Sequence, residues 1–142
     1  MQNKEILLNE EFSLEGIKNV AQQILNQNPK KIILFNGEMG AGKTTLINQI
    51  SKTLGVKDAT GSPTFSLVNE YKTIDNQTIY HFDLYRLKSE NESLDMGIED
   101  YLYSGNWCFI EWPEKISNLI PIKHSIITIS LLENGNRQLI LR

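Results

Sequence analysis

A glycine-rich octapeptide carries the clearest chemical signal in the sequence. Residues 37–44 fit the pattern G-x-x-x-x-G-K-S/T. Glycines let a backbone curl until successive N–H groups face inward, and a curl of this kind at the start of a helix binds phosphate oxygens. We therefore predict a P-loop in which Lys43 contacts the β- and γ-phosphates of a nucleotide and the Thr44 hydroxyl binds Mg²⁺. The predicted nucleotide-binding residues of this motif are Gly37, Glu38, Met39, Gly40, Ala41, Gly42, Lys43 and Thr44.

Two carboxylates follow apolar segments at points where strands should end. Glu111 comes directly after residues 107–110, which resemble a buried strand, and a P-loop site needs an acidic residue in such a place to hold Mg²⁺ or its water. Glu111 is thus predicted to bind Mg²⁺ or polarise the attacking water; the alternative is a surface charge at a strand end. Asp83 lies within residues 81–87, where the alternation equally fits a half-buried strand with its polar side chains outside.

Three further side chains are candidates for chemistry. Thr64, in Ser62-Pro63-Thr64, is predicted to meet the γ-phosphate or Mg²⁺ when its loop closes, unless the segment is an ordinary surface turn. Arg86 is the leading candidate for an internal phosphate contact, with a structural salt bridge as the alternative. Cys108 is the only cysteine and lies in an apolar run, so we predict an inert core thiol.

The segments that position these residues alternate between strand and helix patterns, which predicts one α/β domain over residues 1–142. A mixed sheet with antiparallel additions and helices on its faces is expected. Predicted strands cover 6–8, 31–36, 78–82, 107–110, 125–132 and 137–141, with another entered from 61–71. Predicted helices cover 13–26, 42–54, 89–105 with a break at Gly97, and a short segment between Pro113 and Pro121.

Composition excludes several classes of protein. The formal net charge is −3, with 14 basic residues against 17 acidic ones and no basic run, which argues against a general nucleic-acid-binding surface. The apolar runs are far shorter than a membrane span, and with a single cysteine and no signal-peptide pattern we expect a cytoplasmic protein without membrane contact. The absence of an Asn-Lys-x-Asp run weakens a GTPase interpretation.

Five segments together resemble the TsaE family, also called YjeE, in their order and approximate spacing. They are GEMGAGKTT (37–45), SPTFSLVNEY (62–71), IYHFDLYRL (79–87), MGIEDYL (96–102) and FIEWPE (109–114). The resemblance implies a P-loop NTPase-like three-layer α/β sandwich around a mixed, mostly parallel sheet with helices on both faces. It also implies a small, Mg²⁺-dependent ATPase that is weak alone and acts on the proteins TsaB and TsaD. The three proteins would together make N6-threonylcarbamoyladenosine (t6A) in tRNA. This chain would contact the tRNA only through the complex.

The resemblance also assigns roles to individual residues. The segment from Gly40 to Thr45 would hold the phosphates, and Thr44 and Glu111 would bind Mg²⁺. The catalytic set would be Lys43, Asp83, Glu111 and Thr64, with Thr64 and Asp83 serving a switch and hydrolysis. Trp112 would lie at the same site and Phe12 near the adenine. The alternatives are a small-molecule or nucleotide kinase, which should have more arginines, and a regulatory nucleotide-binding module without useful turnover.

Overall fold

The computed structural model describes residues 4–57 and 67–142, which build one seven-stranded sheet with helices against both of its faces. The strands are β1 (Leu8–Phe12), β2 (Ile32–Asn36), β3 (Val68–Lys72), β4 (Thr78–Asp83), β5 (Trp107–Glu111), β6 (Ser125–Leu131) and β7 (Arg137–Leu141). The α-helices are α1 (Ile17–Asn26), α2 (Lys43–Thr53), α3 (Glu90–Asp95) and α4 (Ile98–Leu102). Short 3₁₀ turns cover Leu14–Gly16 and Pro113–Ile116.

The sheet is mixed, with its parallel pairings at the centre. The strand order is β1-β7-β6-β2-β5-β4-β3, and β6, β2, β5 and β4 run parallel to their neighbours within that group. The outer pairings β1–β7, β7–β6 and β4–β3 are antiparallel. Central parallel strands are covered on both faces, and the near-continuous apolar sequences of β2 and β5 suit that position. The predicted α/β class is confirmed.

Two apolar layers hold the helices against the sheet. Helices α1 and α2 pack on one face, where Phe35 and Phe109 meet edge to face at 5.9 Å between ring centroids. Helices α3 and α4 cover the other face, where the ring centroids of Phe82 and Tyr101 lie 5.5 Å apart. Within residues 4–57 and 67–142, no helix is both long and apolar enough to cross a bilayer.

The first strand begins later than the sequence predicted. The apolar run at 6–8 suggested the strand, but Ile6 and Leu7 are about half exposed, and the pairing with β7 runs over Leu8–Phe12. The position of β1 is therefore decided by its pairing with β7 and not by the apolar residues at 6–8. The predicted helix after Ser13 is also delayed: a 3₁₀ turn comes first, α1 begins at Ile17, and the Ser13 side chain makes no capping hydrogen bond.

Candidate functional site

The glycine-rich loop connects buried β2 to the start of α2 and is shaped by two close constraints. A Cβ atom at Gly37 would lie 2.7 Å from the Ile129 carbonyl oxygen, so only glycine fits there without movement. Gly42 has φ +106°, a left-handed conformation that favours glycine, and the helix begins at the next residue. The Ala41 N–H donates to the Glu38 carbonyl at 3.0 Å, so this amide closes a turn within the loop.

Lys43 lies inside the loop with little contact to solvent. Its Nζ donates to the Gly37 carbonyl at 2.7 Å and lies 3.6 Å from the centroid of the Trp112 ring. Burial lowers the pKa of Lys43, whereas the carboxylates of Glu111, Glu114 and Asp83 raise it, in that order of size. Lys43 is thus a desolvated cation whose contacts here are a carbonyl and a ring face, so phosphate oxygens arriving in the loop would meet a strong donor.

Glu111 is the last residue of β5 and is almost fully buried. Its carboxylate lies beside Thr44, the residue that follows Lys43. The Thr44 Oγ1 hydroxyl donates to the two carboxylate oxygens, at 2.8 Å to Oε2 and 3.0 Å to Oε1. The structure therefore brings together the two residues predicted to bind Mg²⁺, from the start of α2 and the end of β5. Glu111 is not the exposed strand-end charge of the alternative interpretation.

His81 is a site residue that the sequence analysis missed. It is fully buried on β4, and its Nε2 lies 2.7 Å from Glu111 Oε2. The alternation at 81–87 fitted a functional cluster and a half-buried strand with polar side chains outside equally well, and the structure decides for His81, because β4 lies between β5 and β3 and is covered on both faces. The available signal was the two-residue spacing of His81 and Asp83, which places both on one face of a strand.

Asp83 ends β4 directly beside Glu111. The two residues are in register across the parallel β4–β5 pairing. Asp83 is partly exposed, and its Oδ1 accepts from the Tyr85 backbone N–H at 3.1 Å. It thus lines the same cleft as Glu111 but remains open to solvent.

Trp112 connects the two sides of the site. Its backbone is left-handed, with φ +59°, which a bulky side chain adopts only under constraint, at a cost of roughly 1–3 kcal/mol. The turn swings the indole ring over Lys43 Nζ and against Tyr85, with 5.0 Å between ring centroids. The predicted neighbourhood of Trp112 and the loop agrees with this geometry.

Lys43, Glu111 and Trp112 line one cleft of about 380 Å³. Arg137, from β7, forms part of its wall, and its Nε donates to the Ala41 carbonyl at 3.3 Å. The residues lining the cleft are Leu14, Met39, Gly40, Gly42, Lys43, Thr44, Thr45, Asp83, Tyr85, Glu111, Trp112 and Arg137.

Four other candidates from the sequence have different outcomes. Arg86 is exposed and does not line the cleft, so the arginine beside the loop is Arg137 rather than the one favoured by closeness to the motifs. Phe12 is 5% exposed and belongs to the core under α1, and its expected place near the adenine stays a prediction. Cys108 is buried, and burial raises the pKa of its thiol to about 12, which agrees with an inert core residue. Thr64 lies outside the described residues.

The donor set fits a nucleotide with Mg²⁺. The Thr44 hydroxyl and the Glu111 carboxylate are oxygen groups of the kind that Mg²⁺ prefers as ligands, and they already lie together. Among the described residues no group of three or more His, Cys, Asp and Glu side chains could hold a metal ion.

Comparisons with known proteins give one consistent family. A family model described as "Threonylcarbamoyl adenosine biosynthesis protein TsaE" matches residues 12–139. A TsaE protein of Rickettsia bellii is 41% identical over 139 residues, covering 96% of this chain and 93% of the relative. A TsaE protein of Haemophilus influenzae is 38% identical over 129 residues, covering 89% and 81%. The crystal structure of Bacillus subtilis YdiB matches with a TM-score of 0.76 over 98% of this chain and 87% of that one; at 23% identity it supports the fold alone.

Proposed function

This chain belongs to the TsaE family of threonylcarbamoyl adenosine biosynthesis proteins, and we propose that it is the ATP-hydrolysing component of t6A formation in tRNA. The observation that carries the proposal is the meeting of Lys43, Thr44 and Glu111 at one end of the glycine-rich loop. Hydrolysis would reset the TsaB–TsaD pair between turnovers. The proposed location is the cytoplasm, where tRNA is available.

The chain's own residues supply binding, charge and orientation. Gly37–Thr45 wrap the phosphates, and Lys43 leaves the Gly37 carbonyl to follow the γ-phosphate oxygens. Thr44 and Glu111 would hold Mg²⁺, which would neutralise and orient phosphate oxygens. Asp83 lies at the open side of the cleft, where its carboxylate can orient the attacking water, and Thr64 is proposed to act with it as a switch.

The nature of the product separates this proposal from its alternatives. Incubation with γ-labelled ATP should release free phosphate, slowly for the chain alone and faster with TsaB–TsaD, because the isolated chain populates the catalytic arrangement only in part. Thin-layer separation of the label checks this. A labelled acceptor molecule would establish a kinase instead, and no release even with both partners would establish a regulatory nucleotide-binding module.

The two carboxylates should respond differently to neutralisation. Glu111→Gln removes a charge that holds Mg²⁺, so the Mg²⁺ concentration needed for half-maximal tightening of ADP binding should rise by about tenfold or more. Asp83→Asn should lower turnover while the Mg²⁺ response stays near that of the wild type. Calorimetric ADP titrations at stepped Mg²⁺ concentrations measure both variants.

Glu114→Gln is the matched control for those titrations. Glu114 is an exposed carboxylate that acts on Lys43 but does not line the cleft. Its neutralisation should therefore leave the Mg²⁺ response unchanged. An equal and unchanged response in the Glu111 and Asp83 variants would show that the metal is bound elsewhere.

A further inference from the structure

His81 and Glu111 form a buried contact behind the nucleotide cleft. Glu111 Oε2 receives two polar groups from different elements: the Thr44 hydroxyl of α2 at 2.8 Å and His81 Nε2 of β4 at 2.7 Å. His81 is fully buried, and it does not line the cleft. It is therefore placed to act on Glu111 and not on a bound nucleotide.

The protons of this contact follow from the groups involved. A carboxylate can only accept, so with Glu111 ionised the Nε2–H of His81 must be the donor. The other ring nitrogen, Nδ1, is buried and has no hydrogen-bond partner within the part of the chain that the structure describes. An unpaired buried polar atom weakens a fold, and the neighbouring β4 residues Ile79 and Phe82 show that apolar side chains fill this strand well. What a histidine provides at position 81 and an apolar side chain cannot is the contact of Nε2 with Glu111.

We propose that His81 is a positioning residue that fixes the orientation of the Glu111 carboxylate for Mg²⁺. The inference rests on the proposed function, in which Glu111 holds the metal. Two donors from two elements, α2 and β4, define the carboxylate plane, whereas Thr44 alone would leave the side chain free to rotate about its last bond. Partners that orient a ligating carboxylate raise metal affinity without touching the metal.

Two amide variants separate the contact from the packing. In His81→Gln the amide nitrogen reaches about as far as Nε2, so the donor to Glu111 is kept. In His81→Asn the amide stands near the Nδ1 position, and the donor is lost. Both variants bury one amide on the same strand, so they are matched for the cost of burying a polar group.

The measurement is ADP binding by calorimetry, first in EDTA and then at stepped MgCl₂ concentrations. ADP affinity in EDTA should be the same in wild type and both variants, because the loop's own contacts do not involve His81. His81→Asn should raise the Mg²⁺ concentration for half-maximal tightening by roughly tenfold or more, and His81→Gln should stay near wild type. If His81→Asn does not fold, as judged by circular dichroism, His81→Leu replaces it because that change buries no additional polar group.

The wild-type titration distinguishes a failure of the proposed function from a failure of the role assigned to His81. A wild type whose ADP binding ignores Mg²⁺ would overturn the proposed function and this inference together. A wild type that responds to Mg²⁺, with both His81 variants unchanged or equally shifted, would overturn the inference alone. A loss of ADP affinity in EDTA without a change in Mg²⁺ response would likewise reduce His81 to a packing residue.

Discussion

Replacing Lys43 with alanine should lower ATP hydrolysis by roughly 100-fold or more, the loss expected when one preorganised donor to developing charge is removed. Lys43 is held inside the loop, and among residues 4–57 and 67–142 its Nζ contacts the Gly37 carbonyl and the Trp112 ring. Lys43 belongs to neither of the two apolar layers that hold the helices on the sheet, so the sheet and helices should persist. Steady-state phosphate release in the presence of TsaB–TsaD measures the loss, and thermal unfolding checks the fold.

Two comparisons make the Lys43 result specific. Lys52→Ala removes an exposed positive charge from the last turn of the same helix and should leave hydrolysis near wild type. Lys43→Met keeps most of the buried stem and should fail like alanine, since the charge is the missing part. A folded Lys43→Ala chain that hydrolyses ATP normally would refute the P-loop assignment.

The part of the site that the sequence predicted is the part built from contiguous residues. The loop at 37–44, the strand before it and the helix after it are one local unit, so motif and periodicity were enough. Glu111 was found because a carboxylate directly follows an apolar strand. Its partner Thr44 came from the motif itself, and the parallel β2–β5 pairing brings the two together.

The residues that the sequence did not reveal depend on pairings between distant segments. The alternation at 81–87 left open whether His81 faces solvent or the site, because nothing local shows that β4 lies between β5 and β3. Arg137 reaches the loop because β7 pairs with β1 and β6 at the other side of the sheet, with Arg137 opposite Phe12 in β1. That same pairing places Phe12 in the core. The family resemblance implied a position near the adenine for this residue.

The second large effect concerns the partner proteins. If TsaB–TsaD favours the closed, ATP-bound form of this chain, then ATP must favour the complex by the same factor, since such coupling is reciprocal. A non-hydrolysable ATP analogue with Mg²⁺ should therefore tighten binding by about tenfold over the nucleotide-free chain. Binding to tRNA alone should be weak at physiological salt, because the net charge of −3 offers little attraction for phosphates.

The affinity of this chain for the TsaB–TsaD pair, measured by surface plasmon resonance with and without the ATP analogue, tests the ATP-driven switch most directly. The account predicts tight association with the analogue and Mg²⁺, weak association without nucleotide, and no nucleotide effect for Lys43→Ala. Equal affinity under both conditions, or strong binding of the isolated chain to tRNA, would contradict it.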